Sequence, residues 1–402
     1  MATITEKIIE FNKNRIPELA NIKFRNMASD CFPFYRGTCH LFYEDLSLLT
    51  GSLPESPPIW ASGDLHLENF GSYKADNRLP YFDINDFDEG CLVPALWEIS
   101  RLLTSILVAS DLMQISRSDA EMLCSQFITH YSNALFEAHA GLVEEETADG
   151  IIKDLLDERK GRKRKAFLEA RTTSDKGKRK LVIDDKHVSK ISKDKKEELE
   201  NIVYKWASTE YDNPEFYKVL DAGYRIAGTG SMGLERYVLL LEGLGSPDDN
   251  YLLDLKIANK SALSPWLKIA QPSWKNEAER IIQIQKRMQA FPLALLNTIQ
   301  IKNQWFVMRE LQPTQDKVDL AACKGKMHKL DTFISTIAQI TAWAQLRSGG
   351  RQGSAITDQL INFGEDTSWQ KPLMNYVKDY SAKVKKDYKE YCKVYESGAF
   401  EN

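Results

Sequence analysis

The 402-residue sequence contains few cysteines, and they are not arranged as a metal site or a disulfide framework. None of the six belongs to a C-x-x-C pair, which argues against a zinc ribbon or a thioredoxin-type motif, and a disulfide scaffold is not expected at this length and density. The six histidines likewise form no H-E-x-x-H motif. The cysteines are Cys31, Cys39, Cys91, Cys124, Cys323 and Cys392.

The sequence also lacks a long hydrophobic run and a strong net charge. The most apolar stretch, residues 102–110, is about half of the roughly 20 residues that a membrane span needs. The amino terminus has no apolar segment of the kind found in signal peptides. With 53 basic and 57 acidic residues the formal net charge is -4, unlike that of a typical nucleic-acid coat protein. We therefore expect a cytoplasmic protein with no membrane span and no nucleic-acid partner.

Hydrophobic residues make up 43% of the chain, which suffices for a packed core and excludes a wholly disordered protein. The chain length predicts about two or three domains. The order of elements predicts an α+β protein with four segments. These are a helical segment with two short strands at 1–150, a basic helical linker at 151–215, a β-rich segment at 216–313 and a second helical segment at 314–402.

Individual elements follow from apolar spacing and turn residues. The pattern Ser118–Glu121 matches a capping box and predicts the start of a helix. Residues 1–50 are predicted to be mostly helical, and the other helices are predicted at 97–115, 274–290, 328–347 and 370–396. Strands are predicted at 59–61, 79–84, 225–227, 237–242, 251–257, 298–302 and 305–310.

Residues 159–180 form a basic segment, with eleven lysines and arginines against Glu169 and Asp175. A solvated linker or helix face accounts for such a run. The alternative is a docking strip for phosphate or for an acidic partner. The sequence leaves both interpretations open.

Two short runs carry side chains suited to phosphoryl transfer. In the first, Asp64 and Asn69 lie five positions apart just after a predicted strand, and in the second Asp83 and Asp86 lie at the end of another predicted strand. A carboxylate can accept a proton from a hydroxyl nucleophile, and an amide and a carboxylate oxygen can bind Mg2+. Base, asparagine and metal-binding aspartate together are the arrangement used for phosphoryl transfer. Acidic surface turns are the alternative, and the apolar flanks of both runs argue against it.

A glycine-rich motif, Gly228-Thr-Gly-Ser-Met-Gly233, lies between two predicted strands. Alone it is weak, because a hairpin turn explains it equally well. A dinucleotide-binding fold needs a helix after the glycines, whereas a strand follows here, as in the glycine-rich loop of kinases. Glycines allow backbone N–H groups to approach a phosphate closely. Gly228, Gly230, Ser231 and Gly233 are therefore candidates for phosphate binding.

Lys256 lies in an apolar strand that follows the glycine motif, where a kinase places the lysine that binds the α- and β-phosphates. An edge-strand lysine that prevents aggregation is the alternative. The predicted helix at 274–290 offers Glu277 or Glu279 as an ion-pair partner, and we prefer Glu279. Residues 305–313 resemble a last strand that enters a hinge, where backbone groups would meet adenine.

With these residues together, the chain resembles the protein-kinase-like superfamily. The Gly63–Asn69 loop is most similar to that of aminoglycoside and choline kinases, and the chain more closely resembles the bacterial family of domain of unknown function 2252. The runs that carry this resemblance span nearly the whole chain. They are Pro33–Gly37, Gly63–Gly71, Phe82–Glu89, Gly228–Gly233 and Gln285–Gln289.

The resemblance implies a bilobal fold with a five-stranded antiparallel small lobe, a mainly helical large lobe, and ATP and Mg2+ as cofactors. The two runs that carry Asp64 and Asp86 precede the glycine motif, the reverse of the kinase order, so it also implies a circular permutation. Two residues depart from the pattern: Ser62 stands where small-molecule kinases have histidine, and His66 where protein kinases often have lysine. Trp97, Glu98 and Arg101 are interpreted as packing and ion-pair residues.

The implied function is an ATP- and Mg2+-dependent phosphotransferase that acts on a hydroxyl of a small molecule, with a protein acceptor left open. Asp64 would be the base, Asn69 and Asp86 would hold the metal, with Asp83 as the alternative, and the glycine motif and Lys256 would bind phosphates. A nucleotidyltransferase on the same fold and a non-catalytic nucleotide-binding regulator are the competing hypotheses.

Overall fold

A computed structural model describes residues 2–48, 51, 53–228, 230–312 and 317–400 of the chain. The first 150 residues are largely helical, as predicted for residues 1–50, and contain two short antiparallel strand pairs. Their elements are α1 (Ile4–Asn12), α2 (Pro17–Ser29), α3 (Cys31–Gly37), α4 (Cys39–Leu48), β1 (Pro58–Ala61), β2 (Phe70–Lys74), β3 (Pro80–Ile84), β4 (Cys91–Pro94), α5 (Ala95–Val108), α6 (Ser110–Met113) and α7 (Arg117–Glu137).

The middle of the chain is richer in strands, and the chain ends in long helices. Those at Met327–Ser348 and Gln370–Glu396 confirm the two helices predicted there. The elements are α8 (Gly150–Gly161), α9 (Arg164–Glu169), β5 (Thr172–Asp175), β6 (Lys178–Leu181), β7 (Val188–Ser189), α10 (Lys193–Glu210), β8 (Val219–Arg225), β9 (Arg236–Leu241), β10 (Tyr251–Ile257), α11 (Glu277–Met288), β11 (Asn297–Ile301), β12 (Gln304–Glu310), α12 (Met327–Ser348), α13 (Thr357–Glu365) and α14 (Gln370–Glu396).

The largest sheet is antiparallel and has six strands in the order β11-β12-β10-β9-β8-β7. The predicted count of five is therefore wrong by one strand. The additional strand, β7, pairs Val188 with Arg225 and Ser189 with Tyr224. Two residues are too few to show the alternation that identifies a strand in a sequence, so β7 is recognisable only from its partner.

Segment 151–215, predicted as a helical linker, packs on both faces of this sheet. On one face α10 buries Leu199 and Val203 against the sheet residues Leu239 and Leu253. On the other face Leu168 of α9 and the hairpin β5–β6 pack against a second set of strand residues. The expectation of a helical linker thus missed a hairpin and two packing faces, because its many charged residues hide the few buried apolar positions.

The helices share one large hydrophobic cluster that lies beside the sheet. It includes the apolar residues of α5 between Leu102 and Leu107, together with parts of α7, α11, α12 and α14. Within the described residues, we find no helix that is both long and apolar enough to cross a membrane. The predicted boundary at 313/314 lies outside the described residues.

Several predicted bounds differ from those in the structure. Helix α7 is capped by Ser116 with Asp119, and not by Ser118 with Glu121, because Ser116 is the residue with extended backbone before the first turn. The predicted strand at 225–227 is the end of β8, which stops at Arg225. Strands β2 and β4 had not been predicted, since both are short and almost wholly buried, without the alternation of a half-exposed strand.

Candidate functional site

The hairpin β2–β3 brings two predicted site residues together. Phe70 pairs with Ile84, so Asn69, just before β2, lies beside the residues that follow β3. The Asn69 side chain is almost fully buried, and its Nδ2 donates to the backbone carbonyls of Asp64 at 3.1 Å and Asp86 at 3.3 Å. One amide group thus joins the loop after β1 to the loop after β3.

Arg101 of helix α5 orients the carboxylate of Asp64. The fully buried Arg101 donates from Nε and Nη2 to Asp64 Oδ1 at 3.0 and 2.8 Å. Both bonds reach one carboxylate oxygen, so the other, Oδ2, is not engaged by this arginine. Arg101 is therefore a positioning residue for Asp64, a more specific role than the packing and ion pairing expected for it.

A second residue of α5, Glu98, holds the turn that presents Asp64. Its Oε1 accepts from the backbone N–H of Ser62 at 2.6 Å and from the Ser62 hydroxyl at 2.9 Å. Burial raises the pKa of the Glu98 carboxyl to about 7, although the hydrogen bonds from Ser62 act in the opposite direction. Gly63 has φ +88°, and a Cβ there would lie 2.1 Å from the carbonyl oxygen of Glu89. This turn therefore requires glycine at position 63.

Lys256 of β10 reaches the loop after β3. Its Nζ lies 3.8 Å from Asp86 Oδ2 and contacts the Asp88 carboxylate directly. Burial favours the neutral form of Asp86, but the positive charges of Lys256, Arg309 and Lys317 outweigh it and lower the pKa of Asp86 to about 2. Burial and the neighbouring Asp86 raise the pKa of Asp88. The two carboxylates and one ammonium group form a compact charged cluster.

The ion pair expected between Lys256 and Glu279 is not found, and Glu277 does not supply it either. Glu279 Oε2 accepts from the backbone N–H of Lys275, and Glu277 pairs with Arg280 at 2.6 Å. Both glutamates lie in the first turn of α11, where their negative charges interact favourably with the positive end of the helix dipole. The preference for Glu279 was wrong because its carboxylate binds backbone at the start of α11 and does not contact Lys256.

Asp83, the alternative metal residue, lies away from this cluster. The residue is 5% exposed, and its carboxylate accepts from the backbone N–H groups of Ile84 and Ala290. It also pairs with Arg347 of α12 at 3.4 Å. These contacts tie β3 to the helices, whereas Asp86 and Asp88 line a cavity with Asp64.

That cavity, which we call the charged cavity, has a volume of about 100 Å3. It joins the loops after β1 and β3 to the glycine turn, residues 228 and 230–233. Thr229 lies outside the described residues, and Gly233 is not among the lining residues. Residues that line the charged cavity include Asp64, Asp86, Asp88, Gly228, Gly230 and Ser231.

The amino-terminal helices hold the glycine turn in place. Arg15 Nη1 donates to the carbonyl oxygen of Met232 at 2.6 Å, and the backbone N–H of Ile16 donates to the carbonyl oxygen of Gly233 at 3.0 Å. Lys23, which is fully buried, donates to Gly230 O at 3.2 Å and to Asn12 Oδ1 at 2.8 Å. Burial and Arg15 lower the pKa of Lys23 well below its usual range.

A larger cavity of about 420 Å3 opens on the other side of the glycine turn, and Gly228 lines both cavities. We call it the apolar cavity, because most of its walls are aliphatic. The sheet, the residues that follow β12 and the hairpin β5–β6 enclose it. Its lining includes Ile226, Ala227, Val238, Leu252, Leu311 and Gln312.

Sequence reasoning missed several charged residues of the charged cavity. Arg36 of α3 donates from Nε to His66 Nε2 at 3.3 Å and pairs with Glu68. Burial and Arg36 lower the pKa of the nearby Lys317 to about 8. Arg36 falls within the run Pro33–Gly37 that carries part of the family resemblance, which was a usable signal, whereas Lys317 is one lysine among many and has no local motif.

The donor set of the charged cavity suits a hard cation. Asp86 and Asp88 supply carboxylate oxygens, and the Asn69 side chain bridges the loops that carry Asp64 and Asp86. Mg2+ prefers such oxygen ligands and keeps several waters, so it does not need a complete protein cage. In the described part of the chain no three His, Cys, Asp or Glu residues form a preformed cage. The two lining carboxylates fit an ion that arrives with its waters and a phosphate, whereas Asn69 is not among the lining residues.

A further cavity of about 420 Å3 lies between α4, β4 and α5, lined by Leu46, Trp97 and Leu267 among others. It shares no lining residue with the charged cavity or the apolar cavity. We therefore place the candidate site at the glycine turn, where charge and an apolar pocket meet.

Comparison with protein families gives one result for this chain. The profile described as "Uncharacterized protein conserved in bacteria (DUF2252)" matches residues 15–394. Comparisons with curated proteins and with solved structures found no match. The matched range contains Asp64, Asn69, Asp86, the glycine turn and Lys256.

Proposed function

The chain belongs to the DUF2252 family, and we propose that it is an ATP- and Mg2+-dependent phosphotransferase that acts on a hydroxyl group of a small molecule. The family description assigns no activity, so the support comes from the site. The observation that carries the proposal is the shared wall at Gly228, where an apolar cavity of about 420 Å3 meets a cavity lined by Asp64, Asp86 and Asp88.

The apolar cavity suits a nucleobase. Its volume falls in the range of about 300–1,000 Å3 that is usual for small-molecule sites. Val238 and Leu252 can contact the faces of a planar ring. The Leu311 N–H already donates to the Leu252 carbonyl and the Gln312 carbonyl accepts from Arg225, so the proposal assigns the edge of the base to the Leu311 carbonyl and the Gln312 N–H. A base placed here would direct its phosphates past Gly228 into the charged cavity.

The charged cavity suits the phosphates. Gly228 and Gly230 expose backbone without side chains, and Lys256 supplies a positive charge beside Asp86. Mg2+, held by Asn69, Asp86 and Asp88 when it is bound, would neutralise the charge on the phosphate oxygens. Lys256 would then exchange part of its contact with Asp88 for phosphate.

Asp64 is placed to act on the acceptor. Arg101 fixes one carboxylate oxygen, so Oδ2 is the oxygen that would accept the proton from the acceptor hydroxyl. The deprotonating hydroxyl attacks the terminal phosphorus, the bond from that phosphorus to the bridging oxygen breaks, and ADP leaves. The proton ends on Asp64. Positioning and charge stabilisation supply most of the catalysis in such reactions.

We also propose that the fold is a circularly permuted kinase-like fold with two lobes. The order of the elements along the chain supports it. The glycine turn, the strand that carries Lys256 and helix α11 follow one another, and the strand belongs to one antiparallel sheet. The loops that carry Asp64 and Asp86 come earlier in the chain. Permutation leaves a site intact when the original termini lay close together at the surface. The segment limits 1–150, 151–215, 216–313 and 314–402 remain part of this proposal.

The test uses the full-length protein with Mg2+ and a small-molecule extract as the source of acceptors. Parallel reactions contain ATP labelled in the γ- or the α-phosphate. Transfer of the γ label to a small molecule, lost in Asp64→Asn, supports the proposal. Transfer of the α label alone identifies a nucleotidyltransferase. ATP binding without any transfer identifies a regulator, and the absence of ATP binding contradicts all three hypotheses.

A further inference from the structure

Lys317 is a basic residue of the charged cavity to which the proposed reaction assigns no role. It lines this cavity together with Asp64, Asp86 and Gly230. The proposed function uses Asp64 for the acceptor, Asp86 for Mg2+ and the glycine turn for the phosphates of the nucleotide. It names no side chain for the phosphoryl group while that group moves to the acceptor.

Lys317 differs from the other basic residues around the charged cavity because its ammonium group has no partner. Within the described part of the chain it makes no ion pair and no hydrogen bond. The residue is only partly buried, and its charge is available to an anion in the cavity. The other basic residues have the following partners: Arg36 pairs with Glu68, Arg15 donates to the Met232 carbonyl, and Lys256 contacts Asp88.

The backbone fixes the position of Lys317. The residue forms an antiparallel bridge with Gly71 of β2, two residues after Asn69. Leu320, three residues after Lys317, is buried in the large hydrophobic cluster shared by the helices. Lys317 is therefore held beside hairpin β2–β3, whereas Lys256 belongs to the six-stranded sheet.

The charge of Lys317 acts on both loops of the candidate site. Burial, then Arg36 and then Lys317 lower the pKa of His66, in the loop after β1. In the loop after β3, burial raises the pKa of Asp86, but Lys256 lowers it more strongly, and Lys317 acts in the same direction. Lys317 thus lies within electrostatic reach of the loop that carries the proposed base and of the loop that carries the proposed metal ligand.

The Lys317 ammonium group is destabilised in the absence of a ligand. Burial and the nearby Arg36 lower its pKa from 10.5 to about 8, so the group remains mostly charged at neutral pH. An anion beside it would offset both effects. The position of the side chain and its lack of a partner, rather than this shift, are the grounds for assigning it a ligand.

We propose that Lys317 is a further catalytic residue, which binds the phosphoryl group while it passes from ATP to the acceptor hydroxyl. The inference rests on the proposed phosphotransferase function. In this step the acceptor oxygen forms a bond to the terminal phosphorus, the bond from that phosphorus to the ADP oxygen breaks, and the acceptor proton moves to Asp64. Lys317 neither gains nor loses a proton. Its charge stabilises the phosphoryl oxygens, which carry the negative charge in the transition state.

Lys256 and Lys317 should therefore act at different stages of the reaction. Lys256, on the sheet, would contact the phosphates of bound ATP. Lys317, beside the hairpin that carries Asn69, would meet the phosphoryl group mainly as it approaches the acceptor. An interaction that is made mainly in the transition state raises the rate and changes ATP binding little.

The experiment measures three affinities of the full-length protein by calorimetry with Mg2+. The ligands are ATP, ADP, and ADP with aluminium fluoride, which mimics the phosphoryl group in transit. The variants are Lys317→Ala and Lys317→Arg. Lys324→Ala is the matched control, because Lys324 is an exposed lysine nearby in the sequence that does not line the charged cavity. Unfolding midpoints show whether each variant is folded, and Lys317→Met replaces Lys317→Ala if the latter does not fold. Transfer of the γ label of ATP in a small-molecule extract gives the activity.

We expect Lys317→Ala to weaken binding of ADP with aluminium fluoride at least about a hundredfold, while binding of ATP and of ADP changes less than about threefold. Transfer of the γ label should fall with the affinity for the mimic. Lys317→Arg should recover part of both because it keeps the charge, and Lys324→Ala should change neither.

Two results would overturn the catalytic role of Lys317 alone. One is a loss in Lys317→Ala that is equal for the three ligands, or no loss at all. The other is an unaltered protein that transfers the γ label but binds ADP equally tightly with and without aluminium fluoride. An unaltered protein that binds no ATP, or that transfers no γ label, would instead contradict the phosphotransferase function on which the inference rests.

Discussion

Lys256 Nζ lies 3.8 Å from Asp86 Oδ2, although the two residues come from distant parts of the chain. This contact joins the six-stranded sheet to the loop after hairpin β2–β3. It also places a positive charge where the proposed function needs the phosphates. The first prediction concerns this lysine.

Lys256→Ala should weaken ATP binding at least tenfold, because it removes a phosphate contact worth about 1.4 kcal/mol or more. The fold should remain, since Asp86 is half exposed and can be solvated once the lysine is gone. Calorimetric titration with ATP and Mg2+ gives the affinity. Lys302→Ala is the control, because Lys302 is a largely exposed lysine just after β11 that pairs with Glu198. Equal ATP affinity in both variants would reduce Lys256 to a structural residue.

Asn69→Ala should destabilise the protein and abolish its response to Mg2+. The change leaves the carbonyl groups of Asp64 and Asp86 without their donor, which costs about 1–3 kcal/mol. Denaturant unfolding measures this cost. ATP affinity with and without Mg2+ measures the second effect: an Mg2+ enhancement that survives in Asn69→Ala would rule out this residue as a ligand.

Ala227→Phe should block ATP binding while it changes stability little. Ala227 lines the apolar cavity at its junction with the glycine turn, and a phenyl ring there would occupy the space proposed for the base. The unfolding midpoint and ATP titration are measured together. If Ala227→Phe binds ATP as the unaltered protein does, the base lies elsewhere.

Gly63→Ala should be far more harmful than Gly177→Ala. Both glycines have positive φ, +88° and +76°, so both substitutions strain the backbone by about 1–2 kcal/mol. A Cβ at position 63 would also lie 2.1 Å from Glu89 O, whereas nothing lies within 4 Å of one at position 177. The difference in unfolding free energy isolates the clash, and similar losses in both variants would show that the turn can relax.

Glu98→Gln should change the pH dependence of stability in a defined direction. The pKa of Glu98 is raised from its usual value of 4.5 to about 7, chiefly by burial. Between pH 4.5 and about pH 7, the Glu98 carboxyl loses its proton more readily in the unfolded chain than in the folded chain. Ionisation of Glu98 therefore lowers the free energy of unfolding as the pH rises. Glutamine cannot ionise but keeps an oxygen that can accept the bonds from Ser62.

The stability of Glu98→Gln relative to the unaltered protein should therefore increase from about pH 4.5 to pH 7. The increase should approach about 3 kcal/mol, since each pKa unit corresponds to about 1.4 kcal/mol. Urea unfolding at pH 5, 6, 7 and 8 measures it. A constant difference across this range would mean that Glu98 keeps its ordinary pKa in the folded protein.

The sequence predicted the elements with strong periodicity and failed where tertiary contacts decide. Helices α12 and α14 and strand β10 follow from apolar spacing alone, and the structure confirms them. Strand β7 has only two residues and exists because β8 lies beside it. The buried strands β2 and β4 show no alternation, so a sequence pattern does not distinguish them from loops.

For the site, short motifs identified residues but not their partners. Asp64, Asn69, Asp86 and the glycines stand in runs whose spacing suggests chemistry, and the structure brings most of them to one cavity. Asp88 contacts Lys256, although the sequence did not identify it as a partner of the lysine. Glu279, the predicted partner, binds the backbone N–H of Lys275 instead. Partner choice depends on which helix or loop faces the lysine, and a linear pattern does not carry that information.

The contacts between the amino-terminal helices and the glycine turn also affect how the chain folds during synthesis. Lys23 and the Gly230 carbonyl that accepts from it are 207 positions apart. At about 5–20 residues per second, a ribosome needs about 10–40 s to make the chain between them. During that interval Lys23 lacks this acceptor, so burial of α2 in its final position should be a late event. Contacts of such long range slow folding, and the candidate site at the glycine turn should be among the last parts of the protein to form.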